Sequence, residues 1–306
     1  MSTGRRPIPV ILDTDIGGDI DDTWALGMLL KSPELDLKMV VADTGDTVYR
    51  AKIIARMLEI AGRTDVPVGI GLRQPARDYP QAPWVDGYEL ARYPGKVFED
   101  GVEAMIRLLM DAPEPITLIC IGPVPNIGAA LEREPRIAAR TRFVGMHGSI
   151  RRQHDGKEGA IAEYNVVTDV PACQKAFSAP WQQMRITPLD TCGRVRLTGE
   201  PYKKARDATD PVARAVIENY RIWAKAHSWS DAETASSILF DTVAIHLAYS
   251  TRYLVMEKMR LRVTDDGFTV PDANAREMNV AIDWADLPAY ETFLANRMVR
   301  PVVRLA

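Results

Sequence analysis

Residues 10–26 read VILDTDIGGDIDDTWAL, and no other stretch limits the possible fold so sharply. A β-rich apolar run, Val10 to Leu12, ends in Asp13-Thr14-Asp15. A glycine-containing loop, Ile16 to Ile20, follows. Asp21 and Asp22 then open an apolar helical pattern through Trp24, Ala25, Met28 and Leu29. The order is strand tip, loop, helix start, and it gathers five aspartates within ten residues. Like charges that close repel unless something neutralises them, and a hard divalent cation bound by oxygens is the simplest such partner. Capping and the helix dipole alone would account for Asp21 and Asp22. They do not account for Asp13 and Asp15 at the carboxyl end of a buried strand, the edge at which open α/β sheets bind ligands.

The rest of the chain continues the alternation. Strands are expected at residues 37–42, 66–70, 116–121 and 142–146, and helices at 48–62, 101–110 and 125–132. Residues 73–94 form a long loop rich in proline, glycine and aromatics, a length more often functional than incidental. The second half is less regular. Helical spacing covers 168–179, 211–226, 235–249 and 287–297, and strands are expected at 184–187, 258–264 and 279–283. This pattern predicts an α/β fold with an open, mostly parallel (mixed) central sheet flanked by helices and a Rossmann-like core. No internal repeat or flexible linker interrupts residues 1–306, so a single domain is expected.

Composition narrows the function classes. Of 306 residues, 46% are hydrophobic, enough for a large core. A net charge of −3 with scattered Lys and Arg gives no nucleic-acid surface and no polybasic membrane contact. There is no run of apolar residues long enough to span a bilayer and no signal-peptide pattern. The three cysteines, Cys120, Cys173 and Cys192, show no metal or redox spacing and read as reduced thiols of a cytoplasmic protein.

DTDIGGDIDDTWAL resembles the N-terminal motif of the nucleoside hydrolases of the inosine-uridine-preferring type, DTDxGxDDxxAL. Three further stretches agree in order. Residues 121–126 (IGPVPN) resemble the family's GPLTN turn. Residues 162–165 (AEYN) resemble its AEFN segment, continued by Asp169 and Ala172. Phe240-Asp241 stands where the family has His-Asp before a helix. The resemblance implies a nucleoside hydrolase-like fold and a Ca²⁺ ion above the carboxyl ends of the strands. Asp15, Asp22 and Asp241 would supply side-chain ligands and Ile121 a carbonyl oxygen. Asp21 would bind the ribose diol, and Glu163 and Asn165 the sugar hydroxyls. Asp15 would act as general base on the attacking water. The implied reaction is hydrolysis of the N-glycosidic bond of ribonucleosides, in nucleoside salvage, by a homodimer or homotetramer. Three carboxylates around a divalent ion leave excess negative charge, which favours an oxocarbenium-like transition state.

Three departures from the pattern matter. The loop before Asp21-Asp22 is about two residues longer than the commonest form and adds Asp19 near the ribose. Asp46 stands where an Asn usually faces the water and sugar. Phe240 replaces the His that in many members protonates the leaving base, and Phe cannot transfer a proton. His227 is the expected substitute, with Trp229 as a stacking surface for the base. Asn126, after the GPVP turn, is expected to cap its helix. Two other readings compete. A haloacid dehalogenase-type phosphatase would use Asp13 as nucleophile, and a nucleoside- or sugar-binding protein would keep the metal site without turnover.

Overall fold

The computed structural model describes residues 6–75 and 78–303. The first half alternates β1 (Ile8–Thr14), α1 (Asp21–Leu30), β2 (Leu35–Ala42), α2 (Thr47–Ile60), β3 (Val68–Ile70), β4 (Val97–Phe98), α3 (Gly101–Asp111), β5 (Thr117–Cys120), α4 (Pro125–Arg133) and β6 (Arg142–Gly145). The second half adds α5 (Tyr164–Thr168), α6 (Val170–Ser178), β7 (Gln183–Ile186), α7 (Leu189–Cys192), α8 (Gly199–Arg206), α9 (Pro211–Ala226) and α10 (Thr242–Leu247). It closes with β8 (Leu254–Val263), β9 (Thr269–Pro271), β10 (Glu277–Trp284) and α11 (Leu287–Met298).

Among the described residues, ten strands join one sheet in the order β4-β3-β2-β1-β5-β6-β7-β10-β8-β9. The run from β4 to β10 is parallel, and β8 and β9 pair antiparallel at the far edge. From β1 the chain moves outward through β2, β3 and β4, then returns to β5 on the other side of β1. The connections therefore diverge at the carboxyl ends of β1 and β5, which opens a crevice there.

Strand alternation divides the side chains between the two faces. Val10 and Leu12 pack into one core with α1, α2, α9, α10 and α11, while Ile11 packs into a second with α3, α4 and α6. Burying residues such as Trp24, Ile11 and Leu12 stabilises the fold by about 1.5–3 kcal/mol each. That rigid base lets β1 carry polar groups at its tip.

Two helical expectations are corrected. Only Thr242–Leu247 of 235–249 is helical. Residues 236–239 are extended instead, because Ser236 N–H donates to the Leu197 carbonyl and Leu239 N–H to that of Val195. The stretch 168–179 breaks at Asp169, whose carboxylate caps α6 by accepting from Ala172 N–H, with Pro171 in the first turn. The long loop holds two short 3₁₀ turns, Ala82–Val85 and Leu90–Arg92.

Candidate active site

The floor of the crevice is built from two helix starts. α1 begins at Asp21 after Ile20, and no side chain caps it. α10 begins after Asp241, whose carboxylate makes no capping bond either. The acidic groups are therefore not consumed as caps. Among the described residues, Asp21, Asp22 and Asp241 each offer a carboxylate oxygen within 4.8 Å of the others, and all three are buried. Asp241 N–H donates to Asp21 Oδ2 at 3.3 Å, which ties the two helix starts together. Thr14 Oγ1 donates to Asp22 and accepts from Ile16 N–H at 3.1 Å, fixing the turn out of β1.

Burial pushes all three carboxyls well above the usual carboxylate range. Neighbouring charge adds to it: Asp19 acts on Asp21, Asp15 on Asp22, and Asp21 on Asp241. Three buried carboxyls that each offer an oxygen within 4.8 Å of the others fit a hard cation.

Asp15 stands beside this trio rather than within it. Its Oδ2 lies 3.9 Å from Arg50 Nη2. Burial raises its pKa and the Arg50 charge partly offsets this. Its other neighbour is Gly122, in the turn after β5. A Cβ at Gly122 would sit 2.7 Å from Asp15 Oδ1 and 2.9 Å from its backbone nitrogen, so only glycine permits this approach. Arg50 is itself locked, with Nε donating to the Thr44 carbonyl at 2.6 Å and Nη1 to that of Ile16 at 2.9 Å.

Alternation sends Asp13 to the opposite face from Thr14. There Asn126 Nδ2 donates to Asp13 Oδ2 at 2.8 Å and to the Ala42 carbonyl at 3.1 Å, while its Oδ1 accepts from Leu72 N–H at 2.8 Å. Asn126 is thus a strut joining the ends of three strands, and the expectation that it caps α4 is corrected, since Val124 holds that position. Burial pushes Asp13 up to about 7, next to the equally buried Asp43.

The remaining expected residues are placed as follows. Glu163 is buried, and burial pushes its carboxyl up to about 7. Its Oε1 accepts from Asn165 N–H at 2.8 Å and its Oε2 from Gly148 N–H at 3.0 Å. Asn165 Nδ2 donates to the Ile121 and Met146 carbonyls, both at 3.0 Å. Asp46 is drawn to the surface side. It caps α2 through Val48 and Tyr49 N–H and pairs with Arg73 at 2.9 Å. The structure thus gives Asp46 a capping partner set and does not bring it into the acidic trio. His227 ends α9, its Nδ1 2.9 Å from the Trp223 carbonyl and its ring 4.4 Å from that of Trp223. Trp229 is 39% exposed, with the Arg196 guanidinium 5.6 Å above its ring. Phe240 is half-buried beside Asp241.

Residues 10–292 match the inosine-uridine preferring nucleoside hydrolases. The chain belongs to this family of N-glycosyl hydrolases. Similar relatives include the pyrimidine-specific ribonucleoside hydrolase RihA of Enterobacter sp. (strain 638), 31% identical over 236 residues that cover 72% of this chain and 74% of the relative. The enzyme of the same name from Photobacterium profundum is 31% identical over 69% of each chain. Among solved structures, a plant nucleoside hydrolase, PpNRh1, superimposes with a TM-score of 0.80 at 22% identity, over 96% of this chain and 100% of its own. The purine-preferring ribonucleoside hydrolase from Gardnerella vaginalis gives 0.76 at 21%, over 95% and 99%. At these identities the two structures speak for the shared nucleoside hydrolase fold.

Sequence reasoning missed Arg50, Asp43 and Asp190. Arg50 carried a signal: a cation on the helix after β2, within a fold whose acidic tip needs one. Asp190 carried none, because its partners, Ile150, Arg151 and Arg152 N–H, lie about forty residues away.

Proposed function

We propose that this nucleoside hydrolase cleaves the N-glycosidic bond of ribonucleosides with Ca²⁺ as cofactor. The observation that carries the reading is the convergence of Asp21, Asp22 and Asp241, none of them used as a helix cap, at the switch point of the sheet. Asp22 and Asp241 of that trio would hold the ion, completed by Asp15 beside them and by the Ile121 carbonyl, which also accepts from Asn165; Asp21, the third member, would accept from the ribose diol. A cation bound there would lower the pKa of a neighbouring water and orient the diol.

The chain's own groups do the rest. Asp15, on the β1 tip and pressed against Gly122, takes a proton from the attacking water. Glu163 and the Asn165 side chain line the sugar side, each already oriented by backbone partners. Positive charge grows on C1′ and the ring oxygen as the bond breaks, and the buried carboxylates stabilise that charge selectively. Trp229, partly exposed, would offer an aromatic face to the base. Asp13 is a poor nucleophile here, since Asn126 and Asp43 engage it in a fully buried position, which disfavours the phosphatase reading.

The test is release of free ribose from uridine and inosine with added Ca²⁺, compared with chelator. Absence of ribose from a range of nucleosides, with Ca²⁺ bound, would leave the binding-protein reading standing instead.

A further inference from the structure

Phe240 removes the proton donor from the position beside Asp241, so the leaving base needs one from elsewhere. The chain has four histidines. His147 is buried between Phe143 and Phe177, and burial pushes it down to about 4. His246 is buried on the far side of α10, its Nε2 2.9 Å from the Arg252 carbonyl and its Nδ1 3.4 Å from Tyr249 Oη. Both are buried. His227 keeps one ring nitrogen on the Trp223 carbonyl and its face on Trp223. Among its ring contacts none is with Phe240 or Asp241.

His154 differs from all three. Its ring meets that of Phe240 edge-on, with centroids 5.8 Å apart and planes at 80°. It is exposed, and among the described residues neither imidazole nitrogen has a hydrogen-bond partner. Its segment is firmly built. Asp190 accepts N–H bonds from Ile150, Arg151 and Arg152. Gln153 N–H donates to the Lys157 carbonyl at 2.8 Å, and Asp155 N–H to that of Gly193 at 3.0 Å. Asp155 takes the left-handed conformation that closes this turn, at φ 57°. A side chain with two open ring nitrogens is thus held against the residue that replaced the usual acid.

We propose that His154 is the catalytic residue that protonates the leaving base. The inference rests on the nucleoside hydrolase reading above. As the C1′–N bond breaks, its electron pair passes to the base nitrogen, which takes the proton from the His154 imidazolium. The water oxygen bonds to C1′ and gives its proton to Asp15. His154 then regains a proton from solvent, so no other reactant is needed.

The test compares uridine and inosine with p-nitrophenyl riboside, whose leaving group departs without a proton. His154→Ala should lower kcat on the nucleosides by about 10²–10⁴-fold, the usual range for a general acid. It should change p-nitrophenyl riboside turnover less than threefold. His154→Gln, which keeps a polar side chain on the turn, should behave alike. Adding Phe240→His to His154→Ala should restore nucleoside turnover by restoring a donor beside Asp241. Equal loss on both substrate types, full nucleoside activity in both His154 variants, or the selective loss appearing in His227→Ala instead would each overturn the proposal. A wild-type protein that cleaves neither substrate class would overturn the hydrolase reading itself, and the proposal with it.

Discussion

Replacing Asp241 by Asn should stabilise the protein without cation and abolish its response to cation. Two unit charges 4.8 Å apart, the widest separation within the trio, repel by about 3.5 kcal/mol at an effective dielectric of 20. Three ionised carboxylates would then carry about 10 kcal/mol, comparable with the whole stability of a typical fold. Proton uptake relieves part of this, which is why burial and neighbouring charge push all three pKa values up. Asp241→Asn removes two of the three repulsions and breaks no cap, since that carboxylate caps nothing. A net gain of about 2 kcal/mol is expected, the rest being already relieved by protons. Over 306 residues one degree of Tm corresponds to about 0.6 kcal/mol, so Tm in chelator should rise by about 3 °C. The wild type at a hundredfold excess of Ca²⁺ over Kd should gain about 2.7 kcal/mol, or about 4 °C. Thermal scans of both proteins with EDTA and with Ca²⁺ read all four values. An Asp241→Asn variant that melts no higher in EDTA, or still gains 4 °C with Ca²⁺, would refute the reasoning.

Other consequences are equally direct. Asp15→Ala should lose ribose release by about 10²–10⁴-fold, the usual range for a general base, measured under saturating uridine. Gly122→Ala places a methyl 2.7 Å from Asp15 Oδ1 and should cost about 1–3 kcal/mol by urea unfolding, together with a fall in kcat. Asn126→Leu leaves Asp13 and the Leu72 N–H without their buried partner, and should destabilise by about 2–4 kcal/mol. His147, held down to about 4, stays neutral in the folded protein while the unfolded chain takes a proton below about 6.5. Stability should therefore fall as pH drops through that window, by up to about 3 kcal/mol from this residue. His147→Leu should flatten that slope in urea titrations at pH 7 and 4.5, and an unchanged slope would contradict it.

The chain's local chemistry determined the strand–loop–helix unit at residues 10–30 and the alternation that makes a parallel sheet. Apolar period and turn residues act within a few positions, so β1, α1, β2, α2, α3 and α9 were legible close to their observed bounds. The acidic identity of the site was legible for the same reason, because Asp13, Asp15, Asp21 and Asp22 are neighbours in sequence. Asp241 came only through resemblance, being 219 positions from Asp22 with nothing local to mark it. Tertiary structure decided which of these polar groups face the crevice. Asp46 has the same chemistry as Asp21, yet the orphan N–H groups of α2 claim it, whereas those of α1 leave Asp21 to accept from Asp241 N–H across the site. Residues 236–239 have helical spacing but pair with 195–197, because a long-range hydrogen bond outweighs a weak local preference. His154 carries no local signal; a turn anchored on Asp190 and Gly193 brings it against Phe240. Such contacts join residues that are tens of positions apart, and no period or motif in the chain encodes which of them will meet.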